Sequence, residues 1–277
     1  MSVIPQRVIS NGSCLVKNCD QAINKTASTK FYHLSKTNDN SDVIESCVSV
    51  LHNGGVIALP TDTIYGIACL AQSSEAIDKL YKIKGRSDTK PIAICVGESY
   101  DVCQWTRFPQ PFVDGISEKS GVKDEKIYHR SCSPTVLNEM LRDFYPGPVT
   151  IVTERAPALN SELNPKSSTV GVRVPDCEFI RNLANRLREP LALTSANTSG
   201  ATSSLCIQDF QNLWDKIDIV VDAGTIENDP QKMELARDGS TVFSIMPDGK
   251  SFKVLRPGCA YHQTVKTLKE KWDLTQV

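Results

Sequence analysis

The sequence predicts a single domain of the mixed α/β (α+β) class: an open, twisted sheet covered by helices. Three observations carry this. Short apolar runs at Val56 to Leu59, Pro91 to Val96 and Val170 to Val174 read as strands buried on both faces. Between them lie segments whose apolar residues recur at helical spacing. Strands alternate with helices early and crowd together late, which favours a mixed sheet over a doubly wound one.

The elements follow in order. Ser41 is placed to cap a helix with Ile44, Cys47, Val48 and Leu51 on its apolar face, stopped by Gly54 and Gly55. Ser73 starts a second helix (Ala76, Ile77, Leu80, Tyr81) that ends at Gly85. Residues 115–132 are charged and patternless, the mark of a surface insertion. Ser133 and Pro134 then form a cap-and-proline helix start before Val136, Leu137, Met140 and Leu141. Val149 to Val152 is a strand, and Asp176 is placed to cap a helix with Phe179, Ile180, Leu183 and Leu187 inward. Pro190 to Thr194 is a strand, and Phe210, Leu213, Trp214 and Ile217 form another helical stripe. Ile219 to Val221, Thr241 to Ile245 and Phe252 to Leu255 are further strands, and Val265, Leu268 and Trp272 mark a closing helix. Residues 1–36 are polar and poor in acids, a composition that fits a disordered tail or a transit segment. Residues 37–277 form the domain, with a core at about 42–260.

Composition narrows the function. The 277 residues carry a net charge of -1, so no global basic field advertises nucleic-acid binding, and 6% aromatics is low for a base-stacking surface. No apolar run is long enough to span a bilayer. The 10 cysteines contain no CxxC pair and the 4 histidines are scattered, which reads as apolar thiols in a reducing compartment rather than a zinc site or a disulfide frame. Gly249-Lys250-Ser251 resembles the end of a P-loop, but Ser244 stands where the leading glycine belongs. Ser195 lacks the flanking glycines of a nucleophile elbow.

The chemistry concentrates where apolar strands end in small polar or cationic residues. These ends are Pro60-Thr61-Asp62-Thr63, Lys84-Gly85-Arg86, Pro146-Gly147-Pro148-Val149-Thr150, Val172-Arg173-Val174-Pro175, Ser195-Ala196-Asn197, Gly239-Ser240-Thr241 and Leu255-Arg256-Pro257-Gly258. Taken singly, each reads as a turn. Arg173 sits in an otherwise apolar strand, and a buried guanidinium needs an anion. Asp62, Asp222 or a ligand's carboxylate or phosphate could supply it.

The order and spelling of these segments, with Tyr65-Gly66 after the first and Thr198-Ser199-Gly200 after the fifth, resemble the YrdC/Sua5 family over about residues 42–260. The spelling is most like the short animal form; the chain ends after one further helix, where the long form continues into an extra domain. The resemblance implies a YrdC/RibB-like fold and the synthesis of threonylcarbamoyl-adenylate from ATP, bicarbonate and L-threonine. Catalytic positions fall on Lys84, Arg86, Ser195 and Asn197. L-Threonine contacts fall on Thr63, Cys95, Arg173, Ser195 and Ser240. ATP contacts fall on Arg86, Lys90, Thr169, Asn197, Ser203 and Arg256. Cys95 stands where many long-form members carry a histidine, and a thiol is a poorer hydrogen-bonding group. Mg²⁺ is expected with ATP, held by phosphates and water. A downstream tRNA threonylcarbamoyl transferase of the KEOPS type is the implied partner, with at most weak tRNA contact. A cytoplasmic location is expected, with a mitochondrial pool if the tail is a transit segment. A non-catalytic RNA-binding module is the alternative, which the charge balance disfavours.

Overall fold

The computed structural model describes residues 29–35, 39–85, 91–109, 112, 135–227 and 237–277. Its strands in chain order are β1 (Lys30–His33), β2 (Ile57–Leu59), β3 (Gly66–Leu70), β4 (Ala93–Cys95), β5 (Thr106–Arg107) and β6 (Val149–Arg155). They continue with β7 (Thr169–Arg173), β8 (Leu191–Ser195), β9 (Ile219–Asp222), β10 (Thr241–Ile245), β11 (Ser251–Arg256) and β12 (Thr275–Gln276). The helices are α1 (Ser41–His52), α2 (Ser74–Lys84), α3 (Val102–Trp105), α4 (Thr135–Phe144), α5 (Glu178–Leu187) and α6 (Tyr261–Glu270).

The strands form one sheet in the order β1-β9-β2-β3-β8-β4-β7-β6-β10-β11-β12, with β5 paired to the end of β6. It is mixed, as expected: β2 runs parallel to β9 and antiparallel to β3, and β7 runs parallel to β4 and antiparallel to β6.

Strand alternation divides the side chains between two faces. On one face Ala58, Ile67, Ile94, Ile151, Val172, Ala192, Val220 and Phe243 pack with Leu80 of α2, Met140 of α4, Leu268 of α6 and Phe210 into the larger core. On the other, Ile57, Leu59, Leu70, Leu191, Ile219 and Val221 pack beneath Leu51 of α1 and Leu183 of α5. Those two helices sit over the β9-β2-β3-β8 half. Beyond it the same parity of residues on β7, β6 and β10 turns small or polar, and the face opens into a cavity.

Several local expectations shift by a residue. The residue preceding α1 is Asn40, with Ser41 already helical, and the residue preceding α5 is Cys177 rather than Asp176. Asp176 instead spends its backbone N–H on Asp62 Oδ2. The stripe around Phe210 and Leu213 is a kinked 3₁₀ segment, Ile207–Lys216, with non-helical backbone at Phe210. The reading of residues 1–36 as a tail fails at its end, because β1 adds to the sheet edge in parallel with β9. The insertion at 115–132 and the helix start at Ser133-Pro134 lie outside the described residues. Cys47, Cys69 and Cys95 are buried free thiols, and burial pushes each up to about 12. Cys103 departs from the expectation of free thiols, being disulfide-bonded.

Candidate active site

The cavity holds about 320 Å³ and lies on the open half of the sheet face. Its lining includes Thr150 and Val152 of β6, Thr169, Gly171 and Arg173 of β7, Ser195 of β8, Ser240 and Arg256. Gly171 keeps its floor low: a Cβ there would stand 3.0 Å from Thr150 Cγ2 and 3.5 Å from Ala93 Cβ.

Arg173 ends β7 and is 6% exposed. Its Nη2 pairs with Asp62 Oδ1, and Nη1 and Nη2 lie 3.4 and 3.3 Å from Thr63 Oγ1. So Asp62, one of the anions expected from the sequence, supplies the partner. The turn that presents Asp62 and Thr63 is held by Thr61. Its Oγ1 accepts from the N–H groups of Thr63 at 3.1 Å and Ile64 at 3.2 Å. This is the hydroxyl-to-backbone turn that serine and threonine favour.

Arg256 closes the cavity from β11. Its Nη2 donates to Ser240 O at 2.6 Å and Ser240 Oγ at 3.0 Å, and Ser240 Oγ lies 2.9 Å from Thr150 Oγ1. The close approach requires Gly258, where a Cβ would meet Ser240 backbone atoms at 2.4–2.5 Å. Burial of its head, and then the charge of Arg173, lower the Arg256 pKa. Asp62 pairs with Arg173, and Asp238 lies near enough to Arg256 to favour its charged form; the two guanidiniums beside the lining hydroxyls suit a carboxylate or phosphate.

Lys84 lies behind this wall, in the last turn of α2. Ser73 Oγ caps the start of that helix at 3.3 Å, and Gly85 ends it in the left-handed region at φ 58°. Lys84 is 1% exposed. Its ammonium donates to Ser195 O at 2.6 Å, to Asn197 Oδ1 at 2.9 Å and to Asn197 O. Ser195 Oγ donates to Asn197 Oδ1 at 2.5 Å, and Asn197 Nδ2 donates to Ala201 O. Lys84, Ser195 and Asn197 are therefore one hydrogen-bonded unit that fixes the end of β8.

The structure thus gathers Thr169, Arg173, Ser195, Ser240 and Arg256 on the cavity wall, with Thr63, Lys84 and Asn197 immediately behind. It does not bring Cys95 to the cavity: the thiol is fully buried in the apolar cluster under α5, although its backbone pairs with Arg173. Ser203 is also absent from the lining, and its carbonyl accepts from Arg237. Arg86 and Lys90 lie outside the described residues. Thr61 and Thr150, present in the sequence only as members of strand-end segments, also line the cavity. The signal for Thr150 was a hydroxyl two residues from Val152, on the parity that faces the cavity.

A mixed sheet bearing a hydroxyl-lined cleft with two guanidiniums defines an α/β protein shaped to hold a small anionic ligand. Residues 49–258 match the Sua5_yciO_yrdC family, described as Telomere recombination, and the chain belongs to that family. It is 41% identical over 234 residues to a mouse protein named threonylcarbamoyl-AMP synthase, covering 84% of this chain and 73% of that one. The human protein of the same name is 40% identical over 84% of this chain and 74% of its own. P. abyssi Sua5, crystallised with L-threonine, shares the fold at a TM-score of 0.69 and 20% identity, covering 90% of this chain and 63% of that chain.

Proposed function

We propose that this protein is an L-threonylcarbamoyl-AMP synthase, a nucleotidyltransferase that joins L-threonine, bicarbonate and ATP and releases pyrophosphate and water. The observation that carries the reading is the convergence of Arg173, Arg256, Ser240 and Ser195 on one cleft, in a chain 40–41% identical to proteins bearing that name.

In this reading the threonine carboxylate meets Arg173, with Thr63 and Ser240 supplying hydroxyls. ATP lies toward Arg256 and Thr169, with Arg86, Lys90 and Asn197 as further proposed contacts. The threonine amine forms a carbamate with bicarbonate, losing water. A carbamate oxygen then attacks the α-phosphorus, a P–O bond forms, and the bond to the departing pyrophosphate breaks. The protein's work is alignment and charge stabilisation. Lys84 contributes by holding Ser195 and Asn197 in place.

Mg²⁺ would enter with ATP. Asp62, a carboxylate beside the cavity, has both oxygens engaged, by Arg173 and by Asp176 N–H, so it suits holding arginine rather than metal. Phosphate oxygens and water would hold the ion and offset triphosphate charge. The product would pass to a tRNA threonylcarbamoyl transferase of the KEOPS type, with direct tRNA contact weak. We place the protein in the cytoplasm, with a mitochondrial pool.

Pyrophosphate release from ATP by purified protein, with Mg²⁺, tests the reading. Release that requires both L-threonine and bicarbonate is expected. No threonine-dependent release from folded protein would overturn it and bring forward salt-dependent RNA binding as the next assay.

A further inference from the structure

The acid of the first cavity turn has no role in the reaction as described, yet it is among the most confined charges in the molecule. Asp62 and Arg173 are each 7% exposed at the side chain. Asp62 bridges three segments. Its Oδ1 takes Arg173 Nη2 at the end of β7, and its Oδ2 accepts from Asp176 N–H at 3.0 Å, beyond that strand. Its own backbone belongs to the Thr61 turn. The carboxylate therefore fixes the guanidinium relative to Thr63.

The pairing leaves donor capacity on the arginine. Nη1 has one contact, to Thr63 Oγ1 at 3.4 Å, and Nε is buried with no hydrogen-bond partner. A guanidinium offers five N–H donors in a rigid fork, so one carboxylate on Nη2 does not exhaust it. The charge balance also matters. The Asp62–Arg173 pair is close to neutral as a unit, while Arg256 meets the more distant charge of Asp238 and, among the described residues, no carboxylate in direct contact. Without Asp62, Arg173 and Arg256 would face one cavity with Arg173 lacking its carboxylate, at a separation where the charge of Arg173 already lowers the Arg256 pKa.

We infer that Asp62 is a positioning residue: it locks Arg173 in one orientation and neutralises it enough to favour an amino acid with both ammonium and carboxylate over a plain anion. The inference rests on the proposed synthase reading, because it names threonine as the ligand of Arg173.

Asp62→Asn tests it, since the amide keeps the volume and one acceptor while removing the charge; Asp62→Ala serves as the harsher comparison. Calorimetric binding of L-threonine and of MgATP is measured separately, alongside melting temperature and steady-state KM values. The expected result for Asp62→Asn is threonine binding weakened by about 10-fold or more, the scale of one charge-assisted contact, with MgATP binding within about 2-fold. Competition by propionate, a carboxylate without the amine, should strengthen relative to threonine. Unchanged threonine affinity in folded Asp62→Asn overturns the inference, as does an equal loss for both ligands with a lowered melting temperature, which marks a purely structural role. Failure of the wild type to bind threonine or release pyrophosphate counts instead against the synthase reading.

Discussion

One face of the sheet does two different jobs. Under α1 and α5 its residues are Ile57, Leu59, Leu70, Leu191, Ile219 and Val221, all buried. Several strands further on, the same side of the pleat carries Thr150, Thr169, Gly171, Arg173 and Ser240 around the cavity. The backbone is continuous across both halves; the side chains decide which half a helix can cover. An apolar stripe gains free energy by excluding water, while hydroxyls and a guanidinium covered by a helix would need partners that an apolar helix face does not offer. The site is thus the part of the sheet that the sequence leaves too polar to cover.

Breaking the open half should cost activity well beyond any effect on the fold. Arg173→Ala is expected to lower kcat/KM for threonine by about 10²-fold or more, the scale of losing an oriented charge at a reacting site. Steady-state pyrophosphate release measures it. The neighbouring Asp62 would be left buried without its cation, so some loss of thermal stability should accompany it.

Breaking the covered half should do the opposite. Leu183→Ala, at a fully buried position on the inner face of α5, is expected to cost about 2–5 kcal/mol of stability through lost contacts and a residual cavity. Chemical denaturation reads this, and KM for threonine in the folded fraction should stay near the wild-type value.

Gly171→Ala sharpens the boundary. The added methyl would press on Thr150 at 3.0 Å and raise the cavity floor. A several-fold rise in KM with a stability change of about 1 kcal/mol is expected, because the neighbours are side chains that can give by a few tenths of an ångström.

An effect absent at neutral pH is a titration in the covered half. Burial raises the Cys47 and Cys95 thiols from the ordinary 9.0 to about 12. Below pH 9 both folded and unfolded chains hold these protons. As pH rises from about 9 toward 12 the unfolded chain releases them first, so stability falls, by at most about 1.4 kcal/mol per pH unit per thiol. Replacing Cys47 with Ala should flatten that alkaline loss in denaturation curves measured against pH.

Much of this was legible in the sequence, for reasons that differ by element. Apolar runs and the Ser73 cap marked β2, β4, β7, β8 and α2 because burial on both faces and capping leave local signatures. The edge strand β1 was not legible, since Lys30-Phe31-Tyr32-His33 is largely exposed and owes its order to pairing with β9. The 3₁₀ segment carried a helix-like stripe, and its kink at Phe210 has no local marker. At the site, strand-end polarity identified Thr63, Arg173, Ser240 and Arg256. Cys95 was offered by the family resemblance alone, and the packing of its thiol among the α5 side chains depends on how distant segments meet. The Asp62 bridge to Asp176 N–H also joins segments far apart in the chain.

The central claim is that threonine and ATP occupy the open half of this face. Hydrogen exchange with and without L-threonine and MgATP tests it directly. Added protection should fall on β6, β7, β10 and the turn at Thr61–Ile64, leaving α1 and α5 unchanged. Protection centred on α1 and α5, or none under saturating ligand, would contradict it.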